Sequence, residues 1–278
     1  MNNHRIPDMA ASDSIYQRIG RKTALAYRQG QWLFQSVFGS GPEAIRAEES
    51  AGKALASVIL KDVQLSQNRQ AHHLVQETGD KLAACLTDPH RRFHFFTIQT
   101  DSANAFALPG GFIFITENII RLCGFDRVEV GAILSHEIGH VVRGHAYKRM
   151  VASSATQLGT RILARTGGVQ AAMSRVLSEY LQKDYSREQE DEADTLGLYL
   201  MSSAGMDPRG MIRVFERLRE AHGEGNSILR YFSTHPSFKD RIANLESIIE
   251  REGLDRRYLG EKSSAENDSA TEQTREGE

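Results

Sequence analysis

The chain reads as a mostly helical α+β protein with a small β-sheet set among its helices. Three observations predict this. Apolar residues recur at spacings of three and four over most of the length; the period becomes that of short strands only between about 92 and 116; and the best-marked helix start follows directly afterwards.

Residues 13 to 85 read as three helices, broken near Gly39–Pro42 and around Ser66–Asn68, with Ala56, Ile59 and Leu60 showing the helical spacing. Phe93, Phe95 and Ile98, then Ala103–Leu108, then Phe112–Thr116 have the composition of strands, with Pro109-Gly110-Gly111 as the turn between the last two. The next helix is predicted from about 127 to Gly144. Asp126 caps it, Glu129 is placed to reach back in a capping box, and Phe125 with Val130 forms a hydrophobic staple. Helical patterning resumes over 146–182, with Gly159 and Gly167-Gly168 as weak points, and again over 187–203 up to Gly205. Asp207-Pro208 is expected to open a helix to about 221, Ser233–Pro236 a loop, and Lys239–Arg251 the last amphipathic helix. These signals divide the chain into an N-terminal helical extension (1–42), a main body (43–260) and a disordered acidic tail (261–278).

Composition narrows the function. With 40% apolar residues in 278, the chain is neither disordered throughout nor a multi-span membrane protein, and no run of about 18 apolar residues marks a membrane-crossing helix. The formal charge is −2, and since the tail carries more acids than bases the remainder is weakly basic; no nucleic-acid partner is expected from that balance. Cys85 and Cys123 stand far apart, in no thiolate zinc pattern. The opening MNNHRIPDMAASDS has no apolar run of signal-peptide length, so the chain is expected to be cytoplasmic. Residues 21–38 mix Arg21, Lys22 and Arg28 with Trp32, Phe34 and Phe38, which suits either packing on the body or peripheral contact with a membrane surface. The sequence is silent on oligomeric state.

The chemistry concentrates in His136-Glu137-Ile138-Gly139-His140, an HExxH well inside the capped helix. Histidines four apart leave one helical face, so both imidazoles reach a single zinc ion while Glu137 stands beside a zinc-bound water. A pair of satisfied core histidines is the plain alternative. A catalytic zinc takes three protein ligands, and the third has to come from another element, because position 146 is Ala and His145 is out of place for an HExxHxxGxxH pattern. Ser186–Asp194 offers five carboxylates on one helix. Ala193, Gly197, Leu200 and Met201 define its inward face, and Glu190 with Asp194 runs along that edge, whereas Glu188, Asp191 and Glu192 fit a solvated face. Glu190 is therefore the candidate ligand, and Asp194 the carboxylate that orients a liganding imidazole through its other nitrogen. His72, His73, His90, His94 and His145 are expected to lie outside the ligand set.

HEIGH at 136–140, SREQEDEAD at 186–194, NAFALPGG at 104–111 and STHPSFKDRI at 233–242, in that order over about residues 45–250, resemble metallopeptidase family 48, the HtpX/BepA type. The resemblance implies a zincin-like (gluzincin) domain with its sheet beside the HExxH helix, a zinc-dependent endopeptidase often engaged in protein quality control. It carries over one zinc per chain, His136, His140 and Glu190 as ligands, Glu137 as catalytic base, and Asp194 as their acidic neighbour. It also implies that Asn104, Ala105, Phe106 and Ala107 form an edge strand binding unfolded or extended polypeptide, with the small Ala105 and Ala107 leaving room for it. His235 and Arg241 are candidate donors to the developing oxyanion. His235 equally suits a cap on the open zinc position, or a plain turn. A capped site that holds chains without cutting them, as a chaperone-like binding protein, is the competing reading.

Overall fold

The computed structural model describes residues 41–158, 177–223, 231, 235 and 238–255. The expected helix before Gly39, the membrane-contact segment 21–38, the weak points at Gly159 and Gly167-Gly168 and the acidic tail lie outside these residues. Helix α1 spans Pro42–Asp62, with proline in its first turn where no amide donor is needed. Strand β1 is the two-residue Gln64–Leu65. Helix α2 runs Arg69–Ala83, and the Asn68 side chain accepts the Ala71 amide at its start.

Strands β2 (His94–Gln99), β3 (Ala105–Leu108) and β4 (Phe112–Thr116) follow, with a 3₁₀ turn at Pro109–Gly111 between the last two. The sheet order is β1-β2-β4-β3, with β2 parallel to β4 and both outer pairs antiparallel. The expected β3–β4 hairpin is present. Its turn needs glycine twice over: Gly110 has φ 70° and Gly111 φ 88°, and a Cβ on Gly111 would stand 2.0 Å from the Arg92 carbonyl oxygen. Strand β4 is buried along its whole length, and its alternation sends Ile113 and Ile115 to one apolar cluster and Phe112 and Phe114 to another. The sheet thus has a core on each face. Tyr180, in the helical stretch 177–182, belongs to the second.

Short α3 (Glu117–Leu122) leads to α4 (Arg127–Val142), the HExxH helix, then α5 (His145–Leu158), α6 (Arg187–Ser203), α7 (Gly210–Gly223) and α8 (Phe238–Glu252). Asp126 caps α4 as expected, accepting the amides of Val128 and Glu129 at 2.8 and 2.9 Å. The reciprocal half of the box is absent. Glu129 turns away to a bidentate pair with Arg217 of α7 at 2.8 and 3.0 Å, a stronger partner than one amide. Asp207-Pro208 makes a turn, and α7 begins at Gly210, two residues later than the sequence suggests. Helices α4 and α6 share an extensive contact because each carries glycine at the seam. A Cβ on Gly139 would meet the Ala193 carbonyl oxygen at 2.7 Å, and one on Gly197 would meet Ser135 Oγ at 3.2 Å. This close approach sets Glu190 opposite the two histidines.

Candidate metal centre

His136, His140, Glu190 and His235 each present one ligand atom, and the four atoms lie within 4.8 Å of one another. All four residues are at most 1% exposed. His136 Nε2 is 3.0 Å from His140 Nε2 and 3.2 Å from His235 Nδ1; Glu190 Oε1 is 3.4 Å from His140 Nε2 and 2.9 Å from His235 Nδ1. A tetrahedron with bonds of about 2.0–2.1 Å has edges of roughly 3.3 Å, so these separations suit zinc with nitrogen and carboxylate ligands. A second observation favours an ion. Both carboxylate oxygens of Glu137, which is fully buried, and Oε2 of Glu190 have no hydrogen-bond partner among the described residues. Such atoms are costly to bury unless something else satisfies them.

His136 turns its Nδ1 to Asp194 Oδ1, 2.8 Å away. Arg241 of α8 grips that carboxylate through Nε and Nη2 at 2.8 and 2.7 Å. Its Nη1 stands 2.5 Å from Glu190 Oε2 as an ion pair lacking hydrogen-bond alignment. Burial works against a charged Glu190, but His235 and Arg241, with hydrogen bonds from His140 and His235, outweigh it and hold the carboxyl well below the usual range. Burial likewise opposes ionisation of Asp194, and Arg241 with His136 reverses the balance. For His140 burial prevails, keeping the imidazole well below its ordinary value and therefore neutral, the form that ligates.

His140 is held differently. Tyr185, the residue before the α6 cap, stacks on its ring with centroids 3.8 Å apart. Arg149 of α5 lies over the rings of both Tyr185 and Tyr180, at 4.4 and 4.7 Å. The Tyr180 hydroxyl donates to the Ala107 carbonyl on edge strand β3. Nδ1 of His140 faces Nδ1 of His145 at 3.1 Å, and His145 Nε2 faces Glu192 Oε2 at 3.3 Å.

Of the residues expected at the site, the structure brings His136, His140, Glu190 and His235 together, with Asp194 and Arg241 in contact with them. Asn104 leads into β3, where Ala105 and Ala107 are buried and Phe106 half-buried. The two alanines belong to the apolar cluster of Ile133 and Ile138, so their small size serves the approach of α4 and leaves no room for a ligand on that face. Arg241 reaches the site with its bonds committed to carboxylates. His72, His73, His90 and His94 lie outside the four-residue group. Sequence reasoning missed Tyr180, Tyr185 and Arg149, and set aside His145 and Glu192. The signal available for Tyr185 was its place immediately before the Ser186 cap.

An HExxH helix completed by a glutamate from a second helix, beside a small sheet, defines a metallopeptidase of the zincin class. The family model of Peptidase family M48 matches residues 69–249, and the chain belongs to that family. It is 34% identical over 157 residues to the mitochondrial metalloendopeptidase OMA1 of Schizosaccharomyces pombe, covering 56% of this chain and 46% of the relative. It is 28% identical over 156 residues to the metalloprotease YcaL of Escherichia coli, covering 54% and 60% respectively. It is 24% identical over 250 residues to the beta-barrel assembly-enhancing protease of the same species, covering 86% and 46%. The chain thus spans about half the length of the first curated relatives it matches. Among the described residues no helix is long and apolar enough to cross a membrane.

Proposed function

We propose that the chain is a zinc-dependent endopeptidase that hydrolyses unfolded or extended polypeptide, as in protein quality control, with one zinc held by His136, His140 and Glu190. The observation that carries this reading is Glu137, a buried carboxylate next to a ligand in sequence, with neither oxygen hydrogen-bonded among the described residues. The names of the relatives, metalloendopeptidase and protease, support peptide hydrolysis. The edge position of β3 supports a main-chain-paired substrate, which gives affinity with little dependence on side chains.

When bound, zinc supplies a Lewis acid that polarises the scissile carbonyl and brings the pKa of water to about 7. Glu137 takes the proton of the attacking water and returns one to the leaving amine. Asp194 fixes the His136 ring, and Arg241 holds both Asp194 and Glu190 in their charged forms. His235, whose Nδ1 lies among the ligand atoms and whose Nε2 is 3.6 Å from Glu137 Oε1, would help to hold the ion in the closed site and, once displaced by substrate, would serve as a donor to the developing oxyanion.

The closed cluster also favours a second reading, a permanently capped protein that binds chains without turnover. Metal content, together with casein cleavage by the parent, Glu137→Gln and His235→Ala, separates the two. The endopeptidase reading expects one zinc per chain and a loss of about 10²–10⁴-fold in Glu137→Gln with zinc retained. Zinc without cleavage in all three proteins overturns it in favour of the capped binder.

A further inference from the structure

We propose that His145 and Glu192 are positioning residues for His140, joined to it in a directed hydrogen-bond chain that ends at the protein surface. The inference rests on the zinc-binding reading above. A neutral imidazole has one N–H and one lone pair. If His140 presents Nε2 to the ion, its hydrogen is on Nδ1, and the atom facing that hydrogen is Nδ1 of His145, 3.1 Å away. His145 must then accept at Nδ1 and carry its own hydrogen on Nε2. That nitrogen faces Glu192 Oε2 at 3.3 Å, and a carboxylate only accepts. His145 is 2% exposed and His140 0%, so water has little access to substitute for the link between the two rings. One proton arrangement satisfies every atom from the carboxylate to the ligating nitrogen. Removing Glu192 frees His145 to take the other tautomer, which would set two N–H groups against each other at the His140 contact.

The arrangement parallels that of His136, whose Nδ1 is held by Asp194 directly. Carboxylate-oriented imidazoles are a common device at zinc sites, and losing the partner typically weakens metal binding by about 10–100-fold. The difference here is an inserted histidine and a terminal carboxylate whose side chain is 55% exposed.

The test is zinc affinity of the full chain, measured by competition with a chromophoric chelator, for the parent, His145→Leu, His145→Asn and Glu192→Ala. His145→Leu is expected to bind zinc about 10–100-fold more weakly. His145→Asn should recover part of the loss, because its amide oxygen takes the place of Nδ1 as acceptor, a rescue that a merely space-filling role would not produce. Glu192→Ala should weaken binding by a smaller factor and shift the visible absorption of the cobalt-substituted protein. Affinities within twofold of the parent for both His145→Leu and Glu192→Ala, or no recovery in His145→Asn, overturn the proposal while leaving the zinc site itself in place. If His145→Leu does not fold, Glu192→Ala decides the matter alone. A parent chain that binds no zinc removes the reading beneath the proposal, and the proposal with it.

Discussion

His136 and His140 leave α4 one turn apart, yet they are held by opposite means. On the His136 side the partners are charged and buried: Asp194 and Arg241 are each 2% exposed or less. On the His140 side the contacts are a stacked Tyr185 ring and a second histidine, with the Arg149 guanidinium lying over the rings of Tyr185 and Tyr180. That second set leads outward, through Glu192 to solvent and through Tyr180 to the edge strand. The comparison separates two jobs. Buried ion pairs hold one ligand, and stacked rings that continue to Glu192 and to β3 hold the other.

The largest effect that would test this contrast is expected from Arg241→Leu. It strands two buried carboxylates, and breaking such a pair costs about 3–5 kcal/mol, read as the shift in urea unfolding of the metal-stripped chain. A cost under about 1 kcal/mol would show that the charged side is no stiffer than the stacked one. Next comes the seam that both sides share. Gly139→Ala pushes a methyl group to 2.7 Å from the Ala193 carbonyl oxygen, so α6 must retreat. We expect a loss of about 1–3 kcal/mol together with weaker zinc binding, since Glu190 rides on α6. Intact affinity would mean that the helices separate without moving the ligand.

Acid sharpens the same comparison. The Asp194 carboxyl is held below its ordinary value of 3.8 in the folded chain. Its stabilising contribution is therefore fully present above that pH and is lost as the pH falls through the depressed value. As the pH falls below about 3.8 the unfolding midpoint of the metal-stripped parent should fall more steeply than that of Asp194→Asn, which has no carboxyl to protonate there. Parallel slopes would remove Asp194 from the stiff side. The smallest effect belongs to the outward side: Tyr180→Phe deletes the bond to the Ala107 carbonyl and is expected to cost about 1 kcal/mol. A faster turnover of casein in that variant would show that the hydroxyl competes with substrate for the edge; unchanged turnover would confine its role to stability.

Much of this was legible in the sequence because the relevant signals are local. The Asp126 cap, the HExxH spacing and the small residues on the inward face of α6 each act within a few residues, and they placed His136, His140, Glu190 and Asp194 without any knowledge of tertiary structure. What escaped depends on chain reversals. His145 is five residues beyond His140, out of line for a straight helix; it returns to the site because Gly144, at φ 69°, ends α4 and lets α5 start in a new direction. Glu192 looked solvated, and its side chain is indeed half exposed, but one oxygen meets a histidine that only the fold brings there. Glu129 was assigned to its own helix start and instead crosses to Arg217, 88 residues away, a partner that no local pattern announces. The alanines of β3 were read for the space they leave outside, when their smallness is used inside.

The four metal-facing groups are spread over 99 residues, from His136 to His235. During synthesis the two histidines of α4 leave the ribosome well before Glu190 does, and an ion meeting them then would find only half a site. Selective loading must therefore wait until α6 has docked. Once α6 and His235 are in place the position is sealed from solvent. Metal delivery would accordingly be a matter of timing: an ion that comes before α6 docks meets two ligands, and one that comes later meets a position already buried.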